Sequence, residues 1–173
     1  QINIMATGIQ LQNLKEFYKF TPRTILDIGA QIGDFSLECK QLWPNASLTL
    51  IEGTQDCEEY LGRTGFEYYI TLLSDSIKEV KFYKQKDQKT STGNSIYREN
   101  TKYFNDDNII IESRTTNTLT NLLGDRHYDL IKLDTQGSEI DIMKGGEDLI
   151  KKATNDIIKD KDSNDNFTNV PEV

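Results

Sequence analysis

Apolar positions along the chain alternate between short runs and helical stripes. In GIQLQNLKEFYKF, residues 8–20, Ile9, Leu11, Leu14, Phe17 and Tyr18 recur at helical spacing. They predict a first amphipathic helix, which Thr21-Pro22 stops. RTILDIG is then too short for a helix and is bounded by glycine, the signature of a buried strand. GDFSLECKQLW returns to helical spacing through Phe35, Leu37, Leu42 and Trp43, and Pro44-Asn45 ends it. SLTLIEG (47–53) predicts a second strand, and TQDCEEYLGRTG a helix capped by Thr54 with acids in its first turns. FEYYITLLSDS (66–76) reads as a third strand, and KEVKFYKQ (78–85) alternates as a half-exposed one.

Residues 84–108 are polar and patternless, and a loop of that length is expected to be functional or disordered. IIIESRTTNTLTNLLGD predicts a further strand and a short helix. YDLIKLDTQGSEIDIMKGGEDLIKKA repeats the opening logic: a strand at 128–134, a turn, and a helix from about Ser138. Ile140, Ile142, Met143, Leu149 and Ile150 form the apolar side of that helix. After Ala153 the composition is acidic and asparagine-rich, that of a tail, with Asp156-Ile157-Ile158 the one remnant of a strand. Alternating strands and helices imply an α/β protein with a mostly parallel sheet covered on both faces. The expected organisation is one domain over 1–153, with an N-terminal helix in 1–21 and a variable loop at 84–108 over the site. Residues 154–173 follow as an acidic tail or a discontinuous C-terminal remnant.

Composition narrows the partners. Twenty-eight acids against twenty bases in 173 residues give a net charge of −8, which disfavours nucleic acid and anionic membrane. No apolar run reaches the length of a membrane span, and none sits behind a basic start as in a signal peptide. Cys39 and Cys57 lack zinc spacing and read as buried thiols of a reducing, cytoplasmic compartment. Without a secretion signal the triplets at Asn45 and Asn166 read as chance matches to a glycosylation site. Because the chain starts at Gln1, something upstream is expected to have been removed or left out.

In open parallel sheets ligands sit outside the carboxyl ends of the strands, where strand order reverses. The turns 27–34, 52–54 and 134–139 would converge there. The first is DIGAQIGD, a G-x-x-x-G turn with Asp27 before Gly29 and Asp34 after Gly33. A dinucleotide turn cradles a pyrophosphate and avoids acids. Here Gly29 permits a sharp turn, and Gly33 is expected to let the helix start lie against a ligand. Glu52, at the tip of the second strand, can accept hydrogen bonds from both hydroxyls of a ribose. A ligand with ribose and adenine, no phosphate and cationic ends fits this edge. S-adenosylmethionine, with its ammonium and sulfonium, is such a ligand, and Asp27 is expected to favour those charges.

DIGAQIGDFS, IEG and LIKLDTQGSEIDIMKGG together resemble the FkbM-type family of S-adenosylmethionine-dependent methyltransferases, over roughly residues 22–150. The resemblance implies a Rossmann-like class I methyltransferase fold. It assigns cofactor contact to Asp27, Gly29, Gly33 and Glu52, with Ala30, Gln31 and Gly53 beside them as further candidates, and a role at the catalytic edge to Asp134. STGNSI (91–96) is similar to a glycine–serine element of that family's long loop. Gln31 stands where the family usually has asparagine, and Gln136 where many members have glutamate. Members of this class continue with further strands after a helix such as the one ending near Lys152. The sheet is therefore expected to be incomplete at its C-terminal end.

Lys132 and Asp134 lie two apart on a strand and point to one face. One reading has them flank the methyl acceptor, with Asp134 as base for a hydroxyl; the other is a buried ion pair or a helix cap. Glu139, in the first helical turn, reads as a cap. Ser74 and Asp75 are candidates for the adenine side, against a plain turn into the next strand. His127, the only histidine, precedes its strand and should sit on the surface away from the site. YRENTKYF (97–104) is expected to cap a small pocket, and no metal is assigned to the acids. The leading function is O-methylation of a sugar, glycan or secondary-metabolite hydroxyl. A non-catalytic nucleoside- or partner-binding module and an NAD-linked oxidoreductase are the alternatives.

Overall fold

A computed structural model describes residues 8–86, 93–97, 108–153 and 157–158. In chain order the elements begin with α1 (Gly8–Glu16), β1 (Thr24–Ile28), α2 (Asp34–Leu42) and β2 (Ser47–Glu52). A 3-10 turn (Gln55–Cys57) then leads into α3 (Glu58–Thr64), β3 (Glu67–Ile70), β4 (Leu72–Leu73) and β5 (Glu79–Gln85). β6 (Ile109–Asn117), α4 (Leu119–Leu123), β7 (Leu130–Leu133), α5 (Glu139–Lys144), α6 (Glu147–Lys152) and β8 (Ile157–Ile158) complete them.

One sheet runs β3-β2-β1-β7-β8 with every pairing parallel. The chain leaves β1 outward through β2 and β3, then returns to add β7 on the other side. Strand order thus reverses between β1 and β7, where such sheets open a crevice at their carboxyl ends. A second sheet, β4-β6-β5, joins a parallel pair to an antiparallel one.

Alternation along the strands divides the core between two faces. Ile25 of β1, Leu48 and Leu50 of β2 and Leu130 of β7 pack with Leu11, Leu14, Cys39, Trp43 and Leu61 on the α1–α2–α3 side. Leu26, Ile28, Ile51, Ile131 and Leu133 pack with Leu119, Leu123, Ile142 and Leu149 on the α4–α5–α6 side. Helices therefore cover both faces of a mostly parallel sheet, as the alternating pattern predicts, in the Rossmann-like α/β arrangement that the family resemblance implies.

Several expectations need correction. The first helix ends at Glu16 rather than near residue 20. Lys19 turns left-handed at φ 53, and Phe17 and Tyr18 are 75% and 61% exposed. In α2 the buried side is Ser36, Cys39 and, just beyond the helix, Trp43, while Leu37 is exposed. The helix is turned so that the Ser36 hydroxyl faces the sheet. The strand expected over 66–76 breaks at Thr71: β3 stays in the parallel sheet and β4 pairs with β6. Thr54 offers no side-chain cap to the 3-10 turn. The last helix breaks at Gly145-Gly146, where an added Cβ would meet Ser74 O at 2.1 Å and Leu119 Cβ at 2.5 Å. Ile140 is 63% exposed, off the apolar side expected of it. The 98–104 part of the YRENTKYF stretch and most of the acidic tail lie outside the described residues.

Candidate active site

The carboxyl ends of β1, β2 and β7 surround a cavity of about 330 Å³. Its floor is two tight turns that lean on each other. Gly29 leaves β1 at φ +78, and a Cβ there would lie 1.7 Å from Asp134 O, so only glycine allows the end of β7 to come this close. Gln31 follows at φ 52, left-handed without glycine's freedom. Glu52 holds this turn: its carboxylate accepts from Gln31 N at 2.9 Å and from Thr54 N at 2.8 Å.

The turn after β7 is built the same way. Gln136 is left-handed at φ 53 and Gly137 at φ 100. Glu139 reaches back to accept from Gly137 N at 3.1 Å and Thr135 N at 3.3 Å, the capping role expected of it. Ser138 Oγ donates to Thr135 O at 3.2 Å.

Beneath both turns lies a sealed ion pair. Asp27 and Lys132 are cross-strand partners in the β1–β7 register. Lys132 Nζ is 3.1 Å from Asp27 Oδ1 and donates to Gly29 O at 2.8 Å. The second Asp27 oxygen accepts from Ser36 Oγ at 2.7 Å. Asp27 is fully buried and the Lys132 side chain is 6% exposed. Lys132 Nζ also lies 5.5 Å from the centre of the Phe35 ring. Asp134 Oδ2 stands 4.0 Å from Lys132 Nζ, at the cavity edge.

Of the residues singled out from sequence, Gly29, Ala30, Gln31, Glu52, Gly53, Lys132 and Asp134 line one cavity. Four do not. Asp27 is a floor brace with no exposed surface and does not line the cavity. Gly33 (φ +91) lies off the cavity, where an added Cβ would meet Thr64, Leu61 and Leu50, while Asp34 and Phe35 bring the start of α2 to the cavity wall. Ser74 is buried, with its N–H on Asn117 O, and Asp75 belongs to the turn into β5. Hydrogen bonds from Lys78 and Ser76 hold the Asp75 carboxyl down to about 2, well below the usual carboxylate range. His127 sits at the far end of the sheet, 3.6 Å from Asp129, on the surface as expected.

Other wall residues escaped the sequence reading. Phe35 and Glu38 come from α2, Leu72 and Leu73 from β4, and Phe82 from the buried side of β5. Asn94, Ser95 and Ile96 arrive from the STGNSI stretch, which the sequence singles out only by its likeness to the family's loop element. Ser95 bridges backbone to backbone with Tyr83, and its Oγ donates to Gln136 O at 3.0 Å. The Tyr97 hydroxyl donates to Asp141 Oδ2 at 2.5 Å, which pushes its phenol above the ordinary range. These contacts strap the segment across the crevice from β5 to the second turn. Among the described residues, Thr135 Oγ1 is the one buried side-chain oxygen or nitrogen without a hydrogen-bond partner.

Comparison with known proteins shows the family and agrees with this fold. The family model for the methyltransferase FkbM domain matches residues 27–169. No curated protein matches the chain significantly. Among solved structures, the methyltransferase FkbM from Methylobacillus flagellatus KT is similar with a TM-score of 0.52 at 14% identity. The match covers 78% of this chain and 32% of that one. The plantazolicin methyltransferase BpumL, solved with a triazolic desmethylPZN analog and SAH, gives a TM-score of 0.46 at 15% identity. That match covers 88% of this chain and 44% of BpumL. The chain thus spans less than half the length of either structure.

Proposed function

This chain belongs to the methyltransferase FkbM domain family, and on that premise we propose that it uses S-adenosylmethionine to methylate a hydroxyl oxygen of a sugar, glycan or secondary metabolite. The observation that carries the proposal is that Glu52 and Asp134 line one cavity at the strand-order reversal.

The residues present fit the cofactor. Glu52 stands at the tip of β2, and its carboxylate has acceptor capacity beyond the two N–H groups it receives. Ile51, Leu72, Leu73 and Phe82 supply an apolar wall for an adenine ring. Asp34, Glu38 and Asp134 give the same cavity an acidic rim suited to an ammonium and a sulfonium. A volume of about 330 Å³ lies at the low end of small-molecule sites, which run from about 300 to 1,000 Å³.

S-adenosylmethionine, when bound, supplies an electrophilic methyl group on sulfur. The protein's own contribution is positioning and a proton acceptor. The backbone around Gly29 stays fixed because Lys132 grips its carbonyl and Glu52 grips the N–H of Gln31. Asp134 takes the acceptor's proton as the new O–C bond forms. Lys132, 4.0 Å away, tempers its charge and fixes the strand end. The strap over 93–97 closes the side from which an acceptor would approach.

Calorimetry with S-adenosylmethionine, S-adenosylhomocysteine and NAD tests the cofactor, with binding of the adenosyl ligands alone as the expected result. NAD binding with no adenosyl ligand would favour an oxidoreductase instead. Methyl transfer to a panel of glycan hydroxyls tests the reaction. In Asp134→Asn, turnover should fall by on the order of 10²–10⁴, the usual worth of a positioned base, with cofactor affinity nearly unchanged. Unimpaired turnover in Asp134→Asn would remove Asp134 from the mechanism.

A further inference from the structure

We infer that Thr135 is a cofactor-binding residue, whose hydroxyl donates to the carboxylate at the amino-acid end of the adenosyl ligand; the inference rests on the methyltransferase reading above. Thr135 follows Asp134 at the meeting point of the two floor turns. Its Cγ2 is the side-chain atom nearest to where a Gly29 Cβ would lie, at 3.3 Å. Its backbone is fully engaged, with the N–H on Glu139 and the carbonyl receiving Ser138 Oγ. Its hydroxyl alone is buried without a partner, on a residue that lines the cavity.

A buried hydroxyl without a partner is costly and rare, and its presence in a native site calls for a reason. The bland reason, a packing residue, would be served as well by valine, which has the same shape and no polar atom. A turn of about 120° about χ1, between two staggered rotamers, carries the hydroxyl to the place of the methyl that faces the first turn and the methyl to the place of the Cβ hydrogen. The hydroxyl then enters the crevice between β1 and β7.

The chemistry of the wall selects which ligand group it meets. Asp34, Glu38 and Asp134 serve the ligand's cationic centres and repel a carboxylate. The buried lysine at the floor is held by Asp27 and Gly29 O. An anionic group at the first turn must therefore be met by a neutral donor, and Thr135 supplies one at the right place.

The test compares wild type, Thr135→Val and Thr135→Ser for binding of S-adenosylhomocysteine and its decarboxylated analogue, which keeps the amine. Thr135→Val should weaken S-adenosylhomocysteine about 10- to 150-fold, as expected for losing a hydrogen bond to a charged group. Thr135→Ser should stay within about 2-fold of wild type, since it keeps the donor. The decarboxylated analogue should bind wild type and Thr135→Val alike. The melting temperature of ligand-free Thr135→Val should hold or rise, because an unpaired buried hydroxyl has gone.

Equal loss for both ligands, unchanged affinity in Thr135→Val, or a fall of several degrees in the ligand-free melting temperature would each overturn the assignment. A wild-type chain that binds neither ligand overturns the methyltransferase reading itself, and this inference with it. Binding by wild type with no effect in Thr135→Val overturns the inference alone.

Discussion

Replacing Lys132 by methionine separates the two roles open to this residue, floor brace and participant in the reaction. The substitution keeps an unbranched stem, one atom shorter, and removes the ammonium. Asp27, with no exposed surface, keeps its 2.7 Å hydrogen bond from Ser36 Oγ but loses its counter-charge, and Gly29 O loses a 2.8 Å hydrogen bond. Breaking a buried ion pair on one side costs about 3–5 kcal/mol, because the surviving charge stays out of water. Against a total stability on the order of 5–15 kcal/mol, Lys132→Met should lose a large share of the stability of the fold. The double variant Asp27→Asn, Lys132→Met removes both charges. The amide introduced by Asp27→Asn can still accept from Ser36, so stability should return to within about 2 kcal/mol of wild type. Urea unfolding followed by the fluorescence of Trp43, the only tryptophan, reads both values. That indole is buried, with Nε1 donating to Phe20 O at 3.0 Å, so its emission reports the core on the same face as the pair. A Lys132→Met loss below about 1 kcal/mol would refute the sealed pair, since it would show that water reaches Asp27. Turnover of the double variant then settles the chemistry. Activity that returns with stability makes Lys132 a brace, and activity that stays lost makes it a participant.

Two further outcomes follow from the local geometry. Gln31→Asn keeps the amide and suits a left-handed residue better, which should stabilise the chain by up to about 1 kcal/mol and raise the melting temperature by about 2–4 °C; a lower melting temperature would show that the longer amide holds contacts worth more than the strain. Burial first, then the nearby carboxylates of Glu52 and Asp56, push the Cys57 thiol up to about 12. Its folded value lies above that of an unfolded thiol near 8.5, so the folded chain binds the extra proton between the two. Stability should thus fall as pH rises from about 9 towards 12, and Cys57 should resist alkylation at pH 8 until urea opens the fold. Rapid labelling of the native chain at pH 8 would contradict this.

Three strands of the main sheet, β1, β2 and β7, were legible because each is a short apolar run closed by glycine or an acid. β1, β2 and β7 accordingly lie within the expected runs. The turns were legible too, as glycines beside acids at strand ends. Partners across the sheet were not. Asp27 and Lys132 are 105 residues apart, and only the β1–β7 register brings them together. From sequence alone, Asp27 is an acid next to a glycine turn and so reads as a ligand contact. The rotation of α2 was hidden for a related reason. Leu37 is the more apolar residue, yet Ser36 faces inward because a buried carboxylate needs its hydroxyl. The run over 66–76 shows no interruption in its pattern. Its break at Thr71 comes from outside the run, where Thr71 N bonds to Glu52 O and Leu72 crowds Gly53. Thr135 carried no signal, since a threonine after a strand is ordinary until the burial of its hydroxyl is known.

The acids at this edge divide by what they hold, and the division changes how the edge discriminates between ligands. Glu52 and Glu139 each grip a turn that contains a left-handed glutamine. Such a conformation costs roughly 1–2 kcal/mol per residue, while a hydrogen bond to a charged acceptor returns about 1.5–3 kcal/mol. Each turn is therefore held in shape before any ligand arrives. Asp27 adds a third constraint from below, but its charge is matched by Lys132 at 3.1 Å and contributes little field to the cavity. Repulsion of a pyrophosphate at this crevice must then come from the carboxylates on the wall itself, Glu52 and Asp134, with Asp34 and Glu38 at the rim. The acid that looks most like a ligand contact in DIGAQIGD is a structural brace. The selectivity that the proposed function requires would rest on its neighbours.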